Sequence, residues 1–158
     1  MRDERSFQGS TSEEREDSIG QNLYLVPGAG SVVKGKQVTI IDDSFVRGNV
    51  LKRVFSLIKD AGASKISILS YTPPIGVVGA DGVARGCLFG VDMPPSDNFM
   101  IRDGMRNKTT EEISKGISAK GDVEISYLSL EGMLKSFEKL GMSRNNLCTY
   151  CLGGCLPF

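Results

Sequence analysis

The 158 residues are enough to bury one sizeable core, and a composition of 40% apolar and 24% charged residues is that of a soluble globular domain. The 19 basic residues are balanced by 19 acidic ones with no basic block among them, which excludes a broad or local attraction to nucleic acid. No long apolar run or cleavable leader is present, so no membrane partner is expected and the protein is placed in the cytoplasm.

In chain order, the opening combines Arg2, Arg5 and Arg15 with Asp3, Glu4, Glu13, Glu14, Glu16 and Asp17, an acidic, turn-rich stretch expected to be mobile. Residues 30–37 imitate a nucleotide-binding P-loop, but Gln37 stands where a Ser or Thr is needed and the segment precedes its strand instead of following one, so a turn leading into Val38 is predicted. Lys36 to Asp42 reads as a strand. Asn49 to Asp60 reads as a helix with Leu51, Val54, Phe55 and Ile58 on one face, ended by Gly62, and Lys65 to Tyr71 reads as a second strand. A strand, helix, strand unit argues for a parallel α/β sheet. Pro73-Pro74 stops the strand, and Gly76 to Gly86 shows no helical period. A short helix is predicted over Thr109 to Ile117, capped by Thr109 or Thr110 with Glu111 and Glu112 in its first turn. Ile125 to Leu128 reads as a strand, and Leu130 to Leu140 as a helix with Leu130, Met133, Leu134 and Phe137 facing the core.

The run from Val38 to Val50 carries the clearest chemistry. A buried strand ends in Asp42 and Asp43 and opens into a glycine-containing loop before a helix, and parallel sheets place ligand-handling groups just beyond the carboxyl ends of their strands. The two carboxylates can accept from vicinal hydroxyls or help hold magnesium. From Ser44 through Phe45, Val46, Arg47 and Gly48 to Asn49, the backbone can form a nest of N–H groups at a helix N-terminus, where an anion is stabilised. An acidic turn with a helix cap accounts for the same residues, because Asp, Ser, Gly and Asn all favour turns.

Four cysteines, Cys87, Cys148, Cys151 and Cys155, occur without a secretory signal, so disulfides are not expected. Cys148 and Cys151 have a spacing that can present two thiolates to one metal, whereas isolated cysteines serve as small buried hydrophobes. Asn107-Lys108-Thr109 matches a glycosylation acceptor by chance in a cytoplasmic chain. Without histidine the usual neutral-pH base is missing, Glu131 reads as a helix-start residue, and no residue is assigned a catalytic role.

Asp42 to Gly48 resembles the phosphoribosylpyrophosphate-binding motif of type I phosphoribosyltransferases, in the form found in glutamine phosphoribosylpyrophosphate amidotransferases. Arg5-Ser6-Phe7, Gly35-Lys36, Ala61-Gly62-Ala63, Pro73-Pro74-Ile75, Cys87-Leu88-Phe89-Gly90-Val91-Asp92, Tyr127 to Gly132 and Cys148-Thr149-Tyr150-Cys151 recur in the order seen in that family. The resemblance implies a partial type I phosphoribosyltransferase fold: a lead-in over 1–34, a core portion over 35–108, and a helical, cysteine-containing region over 109–158. It also implies formation of 5-phosphoribosylamine from phosphoribosylpyrophosphate and glutamine-derived ammonia in purine biosynthesis, with Asp42 and Asp43 holding Mg2+ and ribose hydroxyls and Ser44 to Asn49 wrapping the 5-phosphate. Cys87, Cys148 and Cys151 match three ligands of a [4Fe-4S] cluster held by some members. Cys155 is a candidate fourth sulfur, and zinc is the alternative metal.

Family members are much longer, with an amino-terminal glutaminase domain whose first residue is a nucleophilic cysteine. The earliest cysteine here is Cys87, so that half is expected to be absent, leaving a sheet edge for an upstream glutaminase or phosphoribosyltransferase portion or a second copy to cover. A Thr-Thr pair of the family is replaced by Asn49 and Val50, a Lys by Leu25, and an Asn or Ser by Pro27, so weak or absent turnover is expected. The alternative is a catalytically silent remnant or binding module. A different phosphoribosyltransferase acting on a base is disfavoured by the breadth of the resemblance.

Overall fold

The computed structural model describes residues 23–89, 99–102, 104–119 and 123–156. The expectations for the acidic opening, Arg5-Ser6-Phe7 and Gly90-Val91-Asp92 fall outside these residues. Among the described residues a three-stranded sheet has the order β1 (Gln37–Asp42), β2 (Lys65–Ser70), β3 (Glu124–Tyr127). β2 and β3 run parallel, from Ser67 opposite Glu124 to Ser70 opposite Tyr127. Helices flank the sheet and a helical region closes the chain, as the alternation of periods predicts. No helix among the described residues is long and apolar enough to cross a membrane.

The chain divides into two compact units. The first joins the residues up to Val38 with Gly48–Ile66. It holds helix α1 (Ala29–Val33), which the sequence reading takes as a turn because five residues are too few to display a helical period. It also holds α2 (Asn49–Asp60), whose bounds agree with the expectation. Leu51 is the buried residue of its apolar stripe, with Val54, Phe55 and Ile58 half-buried. Two backbone bonds, Gly35 N–H to the Gly62 carbonyl at 2.7 Å and Ser64 N–H to the Lys36 carbonyl at 2.8 Å, tie the entry to β1 to the exit from α2.

The second unit joins Thr39–Arg47 with Ser67–Phe158. Alternation along β2 and β3 turns Ile68, Ser70, Ile125 and Tyr127 inward and leaves Leu69, Glu124 and Ser126 exposed. Helix α3 (Thr110–Ser118) packs on β3 through fully buried Ile113. Its N-cap is Thr109, because Glu112, three residues on, completes a reciprocal capping box: the Thr109 N–H donates to Glu112 at 2.8 Å, and the Glu112 N–H donates to the Thr109 hydroxyl at 3.2 Å. At its other end the Ser118 hydroxyl accepts from the Ile125 N–H at 2.8 Å, fixing the helix on the strand.

Helix α4 (Leu130–Lys139) buries Met133 and Leu134, while Leu130 and Phe137 are half-buried. Arg144 bridges Glu138 at 2.6 Å and Glu131 at 3.3 Å along its exposed side. The segment from Gly76 to Gly86, expected to be irregular, is closed by a single antiparallel bridge between Val78 and Ala84 and clasped by Arg85. That guanidinium lies 4.3 Å from the Tyr150 ring centroid, donates to the Tyr150 hydroxyl at 2.9 Å and pairs with Asp81 at 3.0 Å. β1 is an outer strand of the described sheet, and Ile41 is 64% exposed.

Candidate functional site

β1 ends at Asp42, and the following turn is held by backbone and hydroxyl donors from the end of β2. Within the second unit, the Tyr71 N–H donates to the Asp42 carbonyl at 3.3 Å and the Thr72 hydroxyl to the Asp43 carbonyl at 2.7 Å. The carboxylates are engaged locally: Asp42 Oδ1 accepts from the Asp43 N–H at 3.0 Å, and Asp43 Oδ1 from the Ser44 hydroxyl at 3.3 Å. Each is held through one oxygen, in an arrangement suited to accepting hydroxyl donors from a ligand through the other.

The loop beyond is anchored by burial. Phe45 is 3% exposed and meets Tyr127 edge to face, with ring centroids 5.8 Å apart. The Val46 carbonyl accepts from the Met100 N–H at 2.7 Å, and the Arg47 guanidinium lies 5.9 Å from the centroid of fully buried Phe99. Phe45 and Val46 are therefore anchors of the turn. Sequence reasoning did not find the bracing residues Ser70, Thr72, Phe99 and Met100, because the contacts join segments far apart in the chain. The one local signal was Thr72 before Pro73, a position biased toward extended backbone.

Gly48 and Asn49 belong to the first unit, where Gly48 is the N-cap of α2 with φ 77°, a conformation in which any side chain would be strained. No side chain caps the helix, and no acidic residue occupies its first turn. Its leading N–H groups are thus presented without a competing carboxylate, the condition that favours an anion at a helix start.

The cluster expectation is corrected. Among the described residues no group of three or more His, Cys, Asp or Glu side chains is placed to hold a metal ion, which overturns the [4Fe-4S] cluster at Cys87, Cys148 and Cys151. A cluster requires thiolates converging on one centre, and neither this set nor Cys155 meets that requirement. Burial, together with the neighbouring Cys87 and Cys148, pushes the Cys151 thiol up from its ordinary value. Cys148 and Cys155 are exposed, and none of the four is in a disulfide. The Mg2+ expected at Asp42 and Asp43 needs only one or two carboxylates beside ligand phosphates and water, so the absence of a three-residue group does not bear on it.

No family model matches the chain. It is similar to curated amidophosphoribosyltransferases: 33% identical to that of Methanocaldococcus jannaschii over 97% of this chain and 28% of the relative, and 30% identical to that of Bacillus subtilis over 97% and 29%. Among solved structures it matches glutamine phosphoribosylpyrophosphate amidotransferase from B. subtilis complexed with ADP and GMP, with TM-score 0.58 and 28% identity over 98% of this chain and 30% of that one. The chain thus spans less than a third of the length of the curated relatives it matches. The parallel sheet, its flanking helices and the helical carboxyl-terminal region are those of a partial type I phosphoribosyltransferase fold, and the chain belongs to the amidophosphoribosyltransferase family.

Proposed function

We propose that the run from Asp42 to Asn49 receives the phosphorylated ribose of phosphoribosylpyrophosphate. The chain would then contribute the phosphoribosyl side of the amidophosphoribosyltransferase reaction, in which glutamine-derived ammonia attacks C1, diphosphate leaves and 5-phosphoribosylamine forms. The observation that carries this reading is the start of α2: an uncapped helix opened by a positive-φ glycine, free of acidic residues in its first turn. A dianionic 5-phosphate is stabilised by such donors and by the helix dipole. Asp42 and Asp43, just before it in the chain, are hydroxyl acceptors for the ribose, and a reaction of this kind draws on electrostatic support for the leaving group more than on a strong base.

A catalytically silent binding module is the second reading, favoured by Val50, which brings no hydroxyl to the first turn of α2, and by Leu25 and Pro27 where the family resemblance implies polar side chains. Partners that would complete the enzyme are an upstream glutaminase and phosphoribosyltransferase portion or a second copy of the chain. Ile41, exposed on the outer strand, supports such a covering partner, and light scattering showing only monomer would argue against the second copy.

Thermal unfolding with added ligand tests the binding. Phosphoribosylpyrophosphate and ribose 5-phosphate are expected to raise the midpoint and ribose to leave it unchanged, whereas no response to either phosphorylated sugar contradicts the proposal. With ammonia as the nitrogen source, slow 5-phosphoribosylamine formation is expected of the enzyme reading, and none by a chain that still binds assigns the silent one.

A further inference from the structure

The hydroxyl of Thr72 is the strongest single tie on the carboxylate turn. It donates to the Asp43 carbonyl at 2.7 Å, and having one proton it is committed there. The Ser70 hydroxyl, fully buried, cannot share that duty equally: it stands 3.4 Å from the same carbonyl but 2.9 Å from the Thr72 carbonyl, and it accepts from the Thr72 N–H at 3.3 Å. Ser70 therefore holds Thr72, and Thr72 holds Asp43. Pro73, itself buried, restricts the Thr72 backbone to extended conformations, so the donor is set before any ligand arrives. The Tyr71 N–H on the Asp42 carbonyl completes the brace. Fixing these two carbonyls fixes the peptide planes that set the Cα–Cβ directions of Asp42 and Asp43.

We infer that Thr72, supported by Ser70, is a positioning residue for sugar-phosphate binding, orienting the Asp42-Asp43 carboxylates through the Asp43 main chain without touching the ligand itself. The inference rests on the proposal that these carboxylates accept the ribose hydroxyls. A ligand that depends on them gains from a turn already in its bound geometry, and that gain is lost when the turn must be ordered at the moment of binding.

The test uses Thr72→Val, which keeps the shape and removes the donor, and Thr72→Ser, which restores it. Phosphoribosylpyrophosphate affinity is measured by calorimetry well below the melting temperature of each variant, beside its thermal midpoint. Thr72→Val is expected to weaken binding about tenfold, and Thr72→Ser to return to within about threefold of the parent chain. A merely structural role would lower the Thr72→Val midpoint and leave the affinity of the folded protein unchanged, and that result overturns the inference while the binding proposal stands. If Thr72→Val does not fold, Ser70→Ala read in the same way replaces it, with a smaller loss expected in support and an unchanged affinity against. Absence of binding by the parent chain removes the sugar-phosphate proposal and this inference with it.

Discussion

Two regions of the second unit carry side chains that a sequence reader singles out, the carboxylate turn from Asp42 to Arg47 and the cysteines at 87, 148, 151 and 155, and they fare differently. The turn is over-determined: two main-chain carbonyls are held by Tyr71 and Thr72, a third by Met100, and Phe45 is sunk against Tyr127. The cysteines have matching spacing, but among the described residues they form no group of three placed to hold a metal, and Cys148 and Cys155 are exposed. Spacing within a loop establishes which groups can meet. Whether they meet in a working arrangement depends on contacts from elsewhere in the chain.

The largest expected effect comes from removing the anchor of the turn. Phe45→Ala deletes a buried ring and its edge-to-face contact with Tyr127 and is expected to cost about 3–5 kcal/mol, read as a large fall in the denaturation midpoint. A loss below about 1 kcal/mol would mean that the turn is not organised by this contact.

Its partner gives an effect of opposite sign. The Tyr127 hydroxyl is buried with no hydrogen-bond partner among the described residues, so Tyr127→Phe is expected to stabilise the fold by about 1 kcal/mol. Burial also raises the Tyr127 pKa above that of an ordinary phenol. The sign follows from linkage: the neutral phenol is favoured by folding, so its contribution is complete below about pH 10, where the unfolded chain also keeps the proton, and stability falls as pH rises above that. Tyr127→Phe should flatten that alkaline fall, and an unchanged profile would assign it to other groups.

The cysteines should yield the smallest changes. Cys148→Ser is expected to alter stability by less than about 0.5 kcal/mol, as for an exposed side chain. Alkylation should reach Cys148 and Cys155 before the more buried Cys151. Anaerobic reconstitution with iron and sulfide, followed by metal analysis, is expected to leave no stoichiometric cluster, and a stoichiometric one would restore the metal reading and erase the contrast between the two regions.

Much of the fold was legible in local chemistry. The bounds of α2 follow from its 3.6-residue stripe and the glycines on either side, and β2 and β3 from alternation between turn residues. Thr109 and Thr110 were equal candidates for the cap of α3. The capping box decides for Thr109, since its reciprocal partner must lie three residues on, at Glu112. Less legible were α1 and the short 3-10 turns at Arg144–Asn146 and Tyr150–Leu152, which are too brief for a period to emerge. At the candidate site the residue types of the turn were readable, but the donors that brace it were not, because Asp43 meets Thr72 and Val46 meets Met100 only through the tertiary fold. The same reason explains the cysteines, whose spacing carried no information about convergence.

Calorimetric titration of phosphoribosylpyrophosphate into the chain and into the double variant Asp42→Asn, Asp43→Asn tests the central claim most directly. The account predicts saturable binding by the parent chain, weakened about a hundredfold or more in a variant that remains folded, because two charge-assisted acceptors are lost. Equal affinity in both would show that the carboxylate turn is a structural bend and not the sugar-binding element.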